Sequence, residues 1–118
     1  MNEDRPLVTI LLPVHNGERY IKESLDSCLK QTYENIEILV VNDASTDSTK
    51  DILNEYGDRI RVLDIEKQNS LGSVLNIGIQ SSNGSYIARM DADDIMYPTR
   101  IEKQIEVLEN NGDIVAVG

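Results

Sequence analysis

Val8-Thr9-Ile10-Leu11-Leu12-Pro13-Val14 is a near-continuous apolar run closed by Pro13, and the polar pair His15-Asn16 follows it directly. Alternation would mark a strand with one wet face; an unbroken run marks a strand buried on both. Strands of that kind belong to parallel sheets with helices packed on each side. Downstream, from Gly17 to Gln31, the apolar residues Ile21, Leu25, Cys28 and Leu29 fall on one helical face. Ile36 to Val41 reads as a second strand, and Asp47 to Tyr56 as a short helix with Ser45, Thr46 or Asp47 as its N-cap. Ile60 to Ile65 alternates weakly, which suits a third strand near a sheet edge. Ser70 to Ile79 reads as a helix, and Gly84 marks the turn into a strand from Tyr86 to Met90. Pro98 or Thr99 opens a last helix whose Ile101, Ile105 and Leu108 share a face; Asn111-Gly112 ends it, and Ile114 to Val117 begins another strand.

Strands alternating with helices on short connections predict an α/β fold, a Rossmann-like doubly wound and mostly parallel sheet with right-handed crossovers. With 118 residues, the chain reads as a single domain, 1–118, able to bury about two-thirds of its unfolded surface. Because it stops inside an apparent strand, the expectation is the leading part of a longer protein, truncated at its C-terminus.

Three polar segments follow three of these strands. Pro13-Val14-His15-Asn16 follows the first, Asn42-Asp43-Ala44-Ser45-Thr46-Asp47 the second, and Asp91-Ala92-Asp93-Asp94 the fourth. Each alone is ordinary turn chemistry. With the first strand central, however, the three strand ends converge on one crevice, the place where open α/β sheets bind ligands. Clustered carboxylates repel by about 4 kcal/mol at 4 Å and intermediate dielectric. Protons, basic partners or a hard cation must offset that, and the favoured expectation is Mn²⁺ or Mg²⁺. The plainer reading of the acidic cluster is a solvated turn capping the helix near Pro98. Neither a Rossmann glycine fingerprint nor a P-loop lysine is present, so a diphosphate would be held through a bridging cation, with spare carboxylates on ribose hydroxyls.

The formal charge of −10 argues against a nucleic-acid partner or an anionic membrane surface. No run approaches the ~18 apolar residues of a membrane span, and Met1 to Arg5 lacks a signal peptide's apolar core. The single cysteine, Cys28, can form no internal disulfide and leans the expectation towards a cytoplasmic setting, with a peripheral place on the inner membrane face for a full-length form. On its apolar stripe Cys28 reads as a small buried hydrophobe rather than a nucleophile. His15 is the only histidine; with no nucleophile-elbow sequence nearby it reads as a turn residue beside a ligand.

Val8 to Asn16, then Val40-Val41-Asn42-Asp43-Ala44-Ser45-Thr46-Asp47, then Asp91-Ala92-Asp93-Asp94 with Pro98 and Arg100, resembles glycosyltransferase family 2 through nearly the whole chain. The resemblance implies a GT-A fold and a metal-dependent enzyme that inverts the anomeric centre as it moves sugar from a nucleotide diphosphate sugar to an acceptor hydroxyl. By motif position it implies that Pro13, Val14, His15 and Asn16 line the base and ribose and that Asp43 accepts a hydrogen bond from the base. It further implies that Asp91 contacts the ribose, with Ala92 beside it between the two ends of the Asp-X-Asp motif, and that Asp93 coordinates the metal. It implies that Asp94 orients the loop or a metal-bound water, and that Arg100 serves as a structural ion pair with the acidic loop or as a substrate contact. It implies a UDP-sugar as donor, a glycan or lipid-linked acceptor, and a role in polysaccharide or glycoconjugate assembly.

Some positions depart from the family pattern. Asn42 and Ala44 replace the commoner Asp and Gly, and Leu75 stands where many members carry an arginine near the base, which weakens the claim that the base is uracil. The family's catalytic base lies well beyond the fourth strand, so the expectation is a donor-binding fragment that does not turn over. Two alternatives stand beside this: a non-catalytic nucleotide-binding module, and a phosphoacceptor receiver domain. The receiver needs an acidic pair after the first strand, where this chain has His15-Asn16.

Overall fold

The computed structural model describes residues 5–110. Four strands form one parallel sheet: β1 (Val8–Val14), β2 (Ile36–Asp43), β3 (Arg61–Ile65) and β4 (Tyr86–Arg89), in the order β3-β2-β1-β4. Helices α1 (Ile21–Leu29), α2 (Thr49–Asn54), α3 (Leu71–Ser81) and α4 (Arg100–Asn110) alternate with them. The chain winds outward from β1 through β2 to β3, then crosses back to place β4 on the other side of β1. That reversal is a topological switch point, and it opens a crevice at the carboxyl ends of the strands.

The Val8–Val14 run is buried on both faces, as its composition predicts. Val8, Ile10, Leu12 and Val14 join Ile38 and Val40 of β2 in a core that includes Ile21, Leu25 and Cys28 of α1, Leu53 of α2 and Ile101 and Ile105 of α4. Leu11, Leu39 and Val41 turn to the opposite face and meet Val74 of α3. Gly78 of α3 lets that helix approach closely, since a Cβ there would lie 2.3 Å from Leu11 Cδ1. Cys28 is fully buried, and burial pushes its thiol up to about 11, which leaves it an inert hydrophobe.

Element boundaries move by a few residues from the sequence expectation. The first helix begins at Ile21 rather than Gly17, because Gly17 to Tyr20 form a turn in which the Gly17 carbonyl accepts from both Tyr20 and Ile21 N–H. The second helix is shorter than expected, Thr49–Asn54, and a separate 3-10 turn follows at Gly57–Arg59. β2 extends two residues further, to Asp43, which carries the second polar segment onto the sheet itself. The expected helix stop at Asn111-Gly112 and strand from Ile114 lie outside the described residues.

Candidate functional site

The loops after β1 and β2 are bound to each other before any ligand is considered. Asn16 has φ +53°, a left-handed conformation that asparagine tolerates better than most residues. Its Oδ1 accepts from the Thr46 backbone N–H at 2.7 Å and from Asp47 N–H at 3.3 Å, while its own N–H donates to Ser45 Oγ at 2.9 Å. Asp47 in turn accepts from Thr49 N–H, Thr49 Oγ1 and Glu18 N–H. Burial would raise its carboxyl, but these bonds dominate and hold it below the usual carboxylate value. Ala44 has φ +50°, a left-handed conformation that costs an L-residue about 1 kcal/mol and that glycine adopts without that cost.

His15 Nδ1 lies 2.6 Å from the carbonyl oxygen of Asp43. A carbonyl can only accept, so the partners assign the proton to Nδ1, and Nε2 is left as the acceptor that faces Asn16 Nδ2 at 3.4 Å. The imidazole is thereby fixed against the end of β2. Asp43 is only 6% exposed, and its carboxylate accepts from the Asn69 backbone N–H at 3.1 and 3.4 Å. A carboxylate offers about four acceptor positions. One backbone donor leaves this buried group with capacity for an N–H from a ligand.

A cleft of about 270 Å³ opens at this corner, lined by Pro13, Val14, His15, Asp43, Asn69 and Asp91 together with Gln68, Leu71 and Val74. Five of the residues singled out from sequence therefore share one cavity: Pro13, Val14, His15, Asp43 and Asp91. Three others do not line it. Asn16 is the clip between loops described above. Ala92 is 9% exposed and belongs to the core that also holds residues of α1 and α4. Asp93 is exposed beside the cleft, where Asp91, Asp93 and Asp94 bring one carboxylate oxygen each within 4.8 Å of one another. Three converging carboxylates are the hard oxygen donors that Mg²⁺ and Mn²⁺ take, so this donor set fits a divalent cation.

The fourth wall of the cleft, Gln68 to Val74, is not among the sequence-derived site residues. The available signal was Ser70, five residues beyond the end of β3, whose side chain accepts from Ser73 N–H and caps α3. A helix starting there must put the β3–α3 loop at the same sheet edge as the other strand exits. Arg100 makes no ion pair with the acidic loop among the described residues; its Nη2 donates to the Arg89 carbonyl at 3.2 Å, and Arg89 is the residue that pairs with Asp91.

Residues 9–118 match the family Glycosyl transferase family 2. An uncharacterized glycosyltransferase of Rickettsia prowazekii is 46% identical over 112 residues, 93% of this chain and 35% of that protein. One from Haemophilus influenzae is 46% identical over 121 residues, 98% of this chain and 37% of that protein. The chain thus spans about a third of the length of these two curated relatives. Among solved structures, S. aureus TarS 1-349 in complex with UDP superposes with a TM-score of 0.81 at 26% identity, over 90% of this chain and 32% of that one. The mannosyltransferase PcManGT from Pyrobaculum calidifontis, in complex with GDP-Man and Mn²⁺, gives 0.79 at 26% identity, over 97% and 34%. These neighbours have the GT-A fold. A family match running from the second residue of β1 through all four strands leaves the receiver alternative without support: this chain belongs to glycosyltransferase family 2.

Proposed function

We propose that this unit, 1–118, is the donor-binding part of a glycosyltransferase, holding a nucleotide diphosphate sugar at the carboxyl ends of β1, β2 and β4. The observation that carries the reading is that a buried carboxylate, Asp43, and the acidic cluster's Asp91 line one cleft. Two structural neighbours are complexes with UDP and with GDP-Man and Mn²⁺. In this reading Pro13, Val14 and His15 wall the base and ribose, and Asn16 holds their loop in place. Asp43 accepts an N–H from the base, Asp91 accepts from ribose hydroxyls, Ala92 seats the turn between them, and Asp93 with Asp94 faces the metal-bound diphosphate.

An acceptor hydroxyl attacks the anomeric carbon opposite the diphosphate, inverting the centre; the C–O bond to the diphosphate breaks, and the hydroxyl proton passes to a general base. A bound Mn²⁺ or Mg²⁺ supplies charge neutralisation of the departing diphosphate. The described residues serve the donor side of this reaction: they orient the nucleotide and hold its charged end against Asp91, Asp93 and Asp94. Choice of acceptor and turnover belong, in this reading, to regions such as those that make the curated relatives about three times longer. A cytoplasmic setting accompanies the proposal, and no helix among the described residues is long and apolar enough to cross a membrane.

A carboxylate set against the ring nitrogen favours bases that present an N–H there, namely uracil, thymine and guanine; adenine and cytosine, whose ring nitrogen accepts, can reach it only through their amino groups. UDP is the first expectation and GDP the second. Titrating UDP, GDP, TDP, CDP and ADP with Mn²⁺ into the wild-type chain and Asp43→Asn tests it. Losing a charged hydrogen bond weakens binding by about 10- to 150-fold for the selected base. Equal binding of all five nucleotides, or of one nucleotide to both chains, would contradict the role given to Asp43.

A further inference from the structure

We propose that Arg89 is the resident counter-ion of the acidic cluster and is exchanged for the divalent cation when donor binds; this rests on the donor-site reading above. Arg89 is the last residue of β4, and its Nη2 lies 3.3 Å from Asp91 Oδ1. Among the described residues this is the sole ion pair made by Asp91, Asp93 or Asp94. Asp91 is also the carboxylate shared between the cluster and the nucleotide cleft. The guanidinium therefore holds one of the two oxygens of the carboxylate on which, in that reading, ribose and cation converge.

Two features make exchange easy. Both partners are about half exposed, 49% for Arg89 and 57% for Asp91, so the guanidinium can return to water without a buried vacancy. Its backbone does not have to move, because Arg100 Nη2 donates to the Arg89 carbonyl and fixes the strand end independently of the side chain. A guanidinium and a divalent cation on one carboxylate repel each other, so each weakens the other's hold. That competition makes Arg89 a brake on premature metal uptake and a positioning residue that acts through Asp91.

The test is Mn²⁺ titration of the full chain, nucleotide-free and at low salt, read by the electron paramagnetic resonance signal of free Mn²⁺. Arg89→Ala is expected to bind Mn²⁺ about two- to fivefold tighter than wild type, the weight of an exposed pair. Arg89→Lys, which keeps the charge, is expected to return most of the way to wild type, and Arg89→Ala in an Asp91→Asn background to change nothing. A merely structural role predicts the opposite sign, since a disturbed loop binds metal more weakly. Equal or weaker Mn²⁺ binding by Arg89→Ala overturns the inference alone. Absence of Mn²⁺ uptake by every variant, with or without UDP or GDP, overturns both the inference and the metal site beneath it.

Discussion

Replacing Glu37 by glutamine should remove an acid-sensitive clamp at the amino-terminal edge of the sheet. Glu37 is the second residue of β2, with a side chain only 12% exposed. Its two oxygens accept from Thr9 Oγ1 at 2.7 Å, Arg61 Nη1 at 2.7 Å, Asn83 N–H at 2.7 Å and Asn83 Nδ2 at 3.1 Å. These donors come from β1, from β3 and from the turn into β4, so one carboxylate ties all four strands together. Burial alone would raise its pKa; the bonds from Thr9, Asn83 and Arg61 outweigh burial and lower it from 4.5 to about 2. A folded-state pKa below the unfolded one stabilises the fold above pH 4.5, and that contribution is lost as pH falls towards 2. The difference of about 2.5 units corresponds to about 3 kcal/mol. Urea unfolding of wild type and Glu37→Gln at pH 7, 4.5, 3 and 2.5 is the assay. The variant should be less stable by up to about 3 kcal/mol at pH 7, and the gap should close by most of that amount at pH 2.5. Other carboxylates titrate in both chains and cancel. A gap that stays constant from pH 7 to 2.5 would refute the clamp.

Gly84→Ala should destabilise the fold by more than about 2 kcal/mol in the same unfolding assay, because its Cβ would lie 2.6 Å from both the backbone nitrogen and Oγ1 of Thr9. A loss below about 0.5 kcal/mol would mean the turn can yield. Asn16→Gly keeps the left-handed backbone but removes the acceptor for Thr46 and Asp47 N–H. It should lower stability by about 1 kcal/mol and loosen the Pro13–His15 corner, seen as faster amide exchange at Thr46 and Asp47; unchanged exchange would show that the loops hold without it.

How much of this was legible in sequence depended on how local the signal was. The two-face burial of Val8 to Val14 follows from an unbroken apolar run, and the winding follows from strand-helix alternation, so the sheet and its switch point were readable. The convergence of His15, Asp43 and Asp91 on one cleft follows from that winding. What escaped was set by register and loop geometry. Thr9 meets Glu37 only because those residues are register partners across β1 and β2. The Asn16 clip depends on a positive φ at one position, and the Gln68–Val74 wall on how the β3–α3 loop turns back over β2. Arg100 carried a motif position but not the ion pair, which went to Arg89 because that side chain starts two residues from Asp91 on the strand itself.

The account turns on whether one nucleotide is gripped at both ends, by Asp43 at its base and by the acidic cluster, through a cation, at its diphosphate. Calorimetric titration of UDP and GDP into the wild-type chain and Asp93→Ala, each with and without Mn²⁺, measures this directly. The predicted result is binding to wild type that requires Mn²⁺ and that falls by at least about tenfold in Asp93→Ala, the equivalent of about 1.4 kcal/mol. Binding that ignores Mn²⁺ and is the same in both chains would contradict it.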